Sequence, residues 1–171
     1  MGVVNTKSNE ITKLDLLTGK KVSPLYAGYR ILGKKATVEV AAADSNTSTY
    51  RFFRALSSWG VDGLYIANDA ISSGLSFDFG LYDTAENGGA AVDVDYFASA
   101  VSVVSARGAW TEISLEATSA GGDVANVEKA IWEVRALAAD PIRYYDVVGT
   151  ANVVGSAAGT ISLKGHFAVP N

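Results

Sequence analysis

The sequence predicts an all-β fold, an antiparallel β-sandwich of the jelly-roll kind, on three observations. Short runs of alternating apolar and polar residues recur from about Lys35 to Val169, clusters of Gly, Ser and Asn separate them, and one stretch alone has a helical period. Alternation with period two buries one face of a strand and leaves the other in water. A parallel α/β sheet would instead need a helix between most of its strands.

The first thirty residues stand apart from this pattern. From Gly2 to Lys21, polar Asn, Thr, Ser and Lys surround the isolated apolar residues Val3, Val4, Ile11, Leu14, Leu16 and Leu17. They fit neither a strand nor a helix period, yet a free disordered tail would hold fewer apolar side chains. Residues 1–31 are therefore read as an extended N-terminal arm. Its hydrophobes, with Tyr26 and Tyr29, are the candidate anchors to a neighbouring subunit or partner, and an arm wrapped over its own sandwich is the alternative. Residues 32–171 form the β-sandwich domain.

Within that domain the strands follow in order. Leu25 to Ile31 and Ala36 to Val40 open the series, with Val38 and Val40 on one face. After the polar loop Asp44 to Ser48, the run Thr49 to Leu56 is rich in residues suited to a pleated surface and reads as a central strand. Gly63 to Ala67 is the next. Leu75 to Leu81 is the cleanest alternation, with Leu75, Phe77, Phe79 and Leu81 inward and Ser76 and Asp78 outward. Asn87-Gly88-Gly89 tolerates the positive φ of a tight antiparallel connection. Tyr96 to Val101 is ambiguous between strand and short helix. Trp110 to Ala117 alternates again, with Ile113 and Leu115 on one face and Glu112, Ser114 and Glu116 on the other. Arg143 to Thr150 and Gly159 to Val169 complete the set, the last with Ile161, Leu163, Phe167 and Val169 opposing Ser162, Lys164 and His166.

The inserted short helix is expected over about 123–139. Asp123 is placed to cap it, Val124, Val127, Ile131, Val134 and Ala138 make a stripe, and Asp140-Pro141 ends it.

Composition narrows the function by exclusion. The 171 residues are enough for one core, and folding at that length removes roughly 70% of the unfolded surface from water. Hydrophobic residues are 49% and charged residues 19%, so apolar surface is left over for a partner. Net charge is −4, and the 14 basic residues form no patch beyond Lys20-Lys21 and Lys34-Lys35, which argues against nucleic acid. No apolar run reaches the roughly 18 residues of a membrane span and no leader pattern opens the chain, so synthesis in a cytoplasm is expected. Without cysteine there is no disulfide, thiolate nucleophile or thiolate metal site.

Catalytic chemistry finds no foothold. His166 is the only histidine and sits on a strand alternation, and no G-x-S-x-G sequence supplies a nucleophile elbow. Asp93 and Asp95, with Asp62, Asp69, Asp78 and Asp83, are oxygen ligands of the kind calcium takes, but they lack EF-hand spacing, and loop aspartates commonly serve turns. No metal or cofactor is assigned. Glu112 and Glu116 on one strand are roughly 13 Å apart, too far for a retaining glycosidase pair. Trp59, Trp110 and Trp132 are too scattered to be read as a sugar platform in preference to packing.

Several phrases carry a resemblance. Tyr50-Arg51-Phe52-Phe53-Arg54, Asn68-Asp69-Ala70-Ile71, Gly80-Leu81-Tyr82-Asp83-Thr84, Glu128-Lys129 with Ile131-Trp132-Glu133, Thr150-Ala151-Asn152 and Ala158-Gly159-Thr160-Ile161-Ser162-Leu163 look like virion proteins of tailed bacteriophages. From Thr49 to Leu163 the chain resembles the small jelly-roll capsid cement, or head decoration, proteins. That resemblance implies a non-enzymatic homo-oligomer, a trimer, that binds the outer surface of an expanded shell and bridges adjacent major capsid subunits. The alternative from a different class is a carbohydrate- or receptor-binding module on a tail or fibre.

Overall fold

The computed structural model describes Ile11 and residues 28–71, 75–115, 119–153 and 157–170. Eight strands lie among them: β1 (Arg30–Val40), β2 (Thr49–Leu56), β3 (Gly60–Asn68), β4 (Ser76–Asp83), β5 (Ala91–Ser102), β6 (Arg107–Glu112), β7 (Tyr144–Val153) and β8 (Gly159–Val169). They make two antiparallel four-stranded sheets, ordered β1-β8-β3-β6 and β2-β7-β4-β5. Successive strands change sheet at nearly every step, which is the jelly-roll connectivity. The all-β sandwich expected from the alternations is the fold observed.

The alternations are obeyed where they were clearest. Leu75, Phe77, Phe79 and Leu81 are all buried, as are Ile161, Leu163 and Phe167 of β8. The core between the sheets also takes Leu64, Ile66, Tyr145 and Val147. Edge-to-face rings add directional contacts, Tyr50 on Phe77 at 5.6 Å and Phe53 on Phe167 at 6.1 Å. Tyr96 to Val101 resolves as strand within β5. The connection from β4 to β5 uses a 3-10 turn, Ala85–Asn87, followed by Gly88 at φ 95 and Gly89 at φ 68, conformations that favour glycine.

Four expectations need correction. The opening strand is continuous from Arg30 to Val40, because the polar Gly33-Lys34-Lys35 that seemed to divide it lies on an edge strand with solvent within reach. β2 is an edge strand, not a central one. Its register shifts between Arg51 and Phe53, so Phe52 is an extra residue. Arg51 and Arg54 would face opposite sides of a regular strand; the bulge sets both on the outer face, where they meet Asp146 of β7 at 2.6 and 3.1 Å.

The expected helix over 123–139 is not continuous. Asp123 does cap, accepting from the Ala125 amide at 2.9 Å, but the turn it opens is 3-10 and spans only Val124–Asn126. α1 (Ile131–Val134) is one turn. The break has a backbone cause. Ala130 is extended and bridges to Gly60, and the Ile131 and Trp132 amides donate to the Trp59 and Ser57 carbonyls. The β2–β3 turn takes the donors and fixes the chain there, so Val124 and Val127 point to solvent while Ile131 is buried.

β6 ends at Glu112, short of the run expected to Ala117. The Glu112 carboxylate accepts from the Ser114 amide at 2.7 Å and from its hydroxyl, curling the chain away. Ser114 is buried, accepting from the Leu64 amide at 3.0 Å, and Leu115 is exposed while Ile113 packs on the core, so Ile113 and Leu115 do not share the face expected of them.

Candidate interaction surface

Strand polarity gathers the start of β1, the β2–β3 turn, the start of β7 and the end of β8 at one end of the sandwich. Arg30 pairs with Val169, Gly60 with Ala168, and Leu56 with Tyr144. The segment from Ser119 to Arg143 is pinned across this end by the amide bonds to Ser57 and Trp59 and by Ser57 Oγ donating to Asp140 at 2.5 Å. Such a cover would ordinarily seal the core. Here it leaves apolar side chains outside.

Tyr29, Ile31, Leu32, Val127, Ile142 and Tyr144 are all exposed at this end, Ile31 at 49% and Ile142 at 76%. Two clefts lie among them. Arg30, Ile31, Leu32 and Val169 line one of about 180 Å³. Tyr29, Val61, Val127 and Ala168, with Asp62 and Glu128, line another of about 40 Å³. Trp59, next in the chain to Gly60, is buried, edge-on to Tyr144 at 6.2 Å and with the Lys34 ammonium over its ring at 5.2 Å. Isolated exposed apolar residues are ordinary, but several gathered at one end of a sandwich, four of them lining clefts beside Arg30, Asp62 and Glu128, mark a candidate contact surface. Ile142 also has φ 48, a left-handed conformation that a β-branched residue rarely adopts.

Among the sequence-predicted anchors, Tyr29 is on this surface and Ile11 is exposed. Val3, Val4, Leu14, Leu16, Leu17 and Tyr26 lie outside the described residues. The sequence reading missed Ile31, Leu32, Val127, Ile142 and Tyr144 as surface residues. Ile31-Leu32 did carry a signal, since two adjacent apolar residues break the alternation.

The other candidates are dispersed. His166 packs on the Tyr65 ring at 5.3 Å, and Trp110, 39% exposed, shares the Lys164 ammonium with Tyr65. Asp69 accepts from the Thr160 amide at 3.2 Å, Asp78 from the Ala100 amide at 2.7 Å and from Asn152, and Asp83 from Arg143. Among the described residues no group of three or more His, Asp or Glu side chains converges on a metal position, and no helix is long and apolar enough to cross a membrane. The Tyr50 hydroxyl donates to Asp44 at 2.5 Å, holding that carboxyl below its usual range; burial, then Asp44, pushes the Tyr50 phenol up. Burial likewise raises Tyr96, whose hydroxyl has no hydrogen-bond partner among the described residues.

Comparison with known proteins gives neither a matching family model nor a matching curated protein. Solved structures do share the fold. A chain of the capsid of Ralstonia phage GP4 aligns with TM-score 0.59 and 11% identity over 90% of this chain and 94% of that one. A chain of the cyanophage Pam1 capsid asymmetric unit aligns with TM-score 0.53 and 11% identity over 84% of this chain and 87% of that one.

Proposed function

We propose that this chain is a non-enzymatic structural protein of a bacteriophage virion, one that binds the outer surface of the capsid and cements adjacent major capsid subunits. The observation that carries the reading is the likeness in fold, over nine-tenths of the chain, to a chain in the capsid of Ralstonia phage GP4. The apolar end supports it independently. Tyr29, Ile31, Leu32, Val127 and Ile142 offer a partner the kind of area whose burial drives association.

The arm leads into β1, which begins at Arg30 at that end, and its apolar residues Val3, Val4, Ile11, Leu14, Leu16 and Leu17, with Tyr26, are assigned to the same contact as its anchors. About 30 extended residues reach on the order of 100 Å, enough to cross a subunit boundary. Binding the assembled lattice better than its free subunits stabilises the shell by mass action, and weak contacts add through multivalency. A sugar-binding role fits less well. Trp59 is buried, and the Lys164 ammonium lies 5.3 Å from the Trp110 ring centre, where a sugar would stack.

The test is co-sedimentation with expanded shells assembled from the cognate major capsid protein. Saturable binding at a fixed ratio to the capsid subunit is expected, and removal of residues 1–23 is expected to abolish it while the sandwich stays folded. Absence of binding by the full chain overturns the reading.

A further inference from the structure

The four edge strands of the sandwich are not alike. β2, β5 and β6 each carry extra residues where their registers shift, and bulges of this kind blunt an edge against pairing with another chain. β1 carries none. It pairs with β8 over eleven residues in unbroken register, Arg30 with Val169 through Val40 with Gly159, and among the described residues no strand pairs with its other side.

Charge on the outer face of β1 says what fits there. Lys35, Thr37 and Glu39 stand on that face. Lys35 is directly opposite Lys164, a like-charged cross-strand pair that is unfavourable, and it has no acidic partner among the described residues. Glu39 accepts from the Thr160 hydroxyl at 2.8 Å and has no basic partner there. The two charges are separated by four residues with Thr37 midway. An antiparallel copy of the same strand, turned about a two-fold axis at Thr37, therefore brings Lys35 opposite Glu39 of the second copy and Glu39 opposite its Lys35. On the inner face the same register sets Ala36 opposite Val38.

We propose that β1 pairs with β1 of a second copy of this chain about that axis, joining the two β1-β8-β3-β6 sheets into one sheet of eight strands. Such an isologous contact closes as a dimer, in place of the trimer that the resemblance implies. It uses residues from about Gly33 to Val40 and leaves Arg30 to Leu32 free at the apolar end. The dimer does not depend on capsid binding, so either can fail without the other.

The test uses the full chain, which contains no cysteine of its own. With Thr37 opposite itself, the Cα atoms are about 4.5–5.5 Å apart, within disulfide reach, so Thr37→Cys is expected to oxidise to a covalent dimer. Lys35→Cys, roughly 13 Å from its own copy, is not, but a mixture of Lys35→Cys and Glu39→Cys chains is. In sedimentation equilibrium, Lys35→Glu is expected to raise the dimer dissociation constant about tenfold, and Lys35→Glu combined with Glu39→Lys to restore it to within about threefold. A wild-type chain that stays monomeric up to about 100 µM, or that forms a trimer, overturns the proposal. So does a dimer in which Thr37→Cys cross-links no faster than Lys35→Cys.

Discussion

Gly80 of β4 lies directly beneath the backbone of β5: a Cβ at Gly80 would stand 2.1 Å from the Asp93 carbonyl oxygen and 2.3 Å from the Val94 carbonyl carbon. β5 reaches that position by leaving its register, pairing Ala98 with Phe79 and then Asp93 with Leu81, so that residues 94–97 arch between the two pairs. The arch buries Tyr96 and Phe97. Backbone cannot swing aside as a side-chain tip can. Gly80→Ala is therefore expected to cost about 3 kcal/mol or more in urea unfolding, whereas Gly108→Ala, where an added Cβ meets nothing within 4 Å, is expected to change stability by less than about 1 kcal/mol. Equal effects would remove the close approach as the reason for glycine at 80.

Asp146 ties the edge strand β2 to its sheet. Its side chain is 10% exposed and accepts from Arg51 and Arg54, and Arg51 also donates to the Asp83 and Gly89 carbonyls at 2.9 and 2.8 Å. The two guanidiniums are more than a third exposed, so water screens much of the attraction. The buried carboxylate keeps the contribution above that of a surface pair. Asp146→Ala is expected to lower stability by about 2 kcal/mol, and Arg54→Ala, whose second partner Glu86 is exposed, by less than about 1 kcal/mol. Denaturant midpoints at constant m-value check both.

Asp93 makes stability fall as pH rises. Its carboxyl titrates above the usual range because burial disfavours the charge, with the neighbouring Asp95 adding to the shift and Arg135 opposing it. A raised folded pKa means the native state holds the proton more tightly, so this stabilisation is present below the unfolded value, about 3.9, and is lost as pH rises through the folded one. Asp93→Asn removes the penalty of ionisation. Its thermal midpoint is expected to exceed wild type at pH 7 and to converge with it below about pH 3.5; a difference of the same size at both pH values would exclude Asp93 titration as the cause.

The residues that were legible in the sequence are those whose fate is decided by their nearest neighbours along the chain. Phe77 and Phe79, or Ile161 and Leu163, face inward because alternation and burial agree, and the bounds of β2 and β8 follow. Features set by distant backbone were not legible. The helix stripe from Val124 fails because the Ser57 and Trp59 carbonyls claim the Trp132 and Ile131 amides. The edge position of β2 is set by its pairing with β7 alone, about ninety residues away in the chain, and so is the bulge at Phe52 that turns Arg51 to the outer face. The apolar end is assembled from β1, β7 and the 119–143 segment, so no local pattern gathers Ile31, Val127 and Ile142 in advance.

Ile142 combines strain with exposure, and that combination separates stability from binding. Holding a β-branched residue at φ 48 costs about 1–2 kcal/mol, and a side chain 76% exposed recovers little of it within the chain. Asparagine tolerates the left-handed region. Ile142→Asn is thus expected to stabilise the isolated protein by about 1 kcal/mol, a rise in thermal midpoint of about 2–4 °C. If Ile142 is retained for the apolar contact proposed above, the same variant loses its buried area there, about 1.5–3 kcal/mol, and binds expanded shells at least about tenfold more weakly. A gain in stability with unchanged co-sedimentation would keep the strain argument and remove Ile142 from the contact.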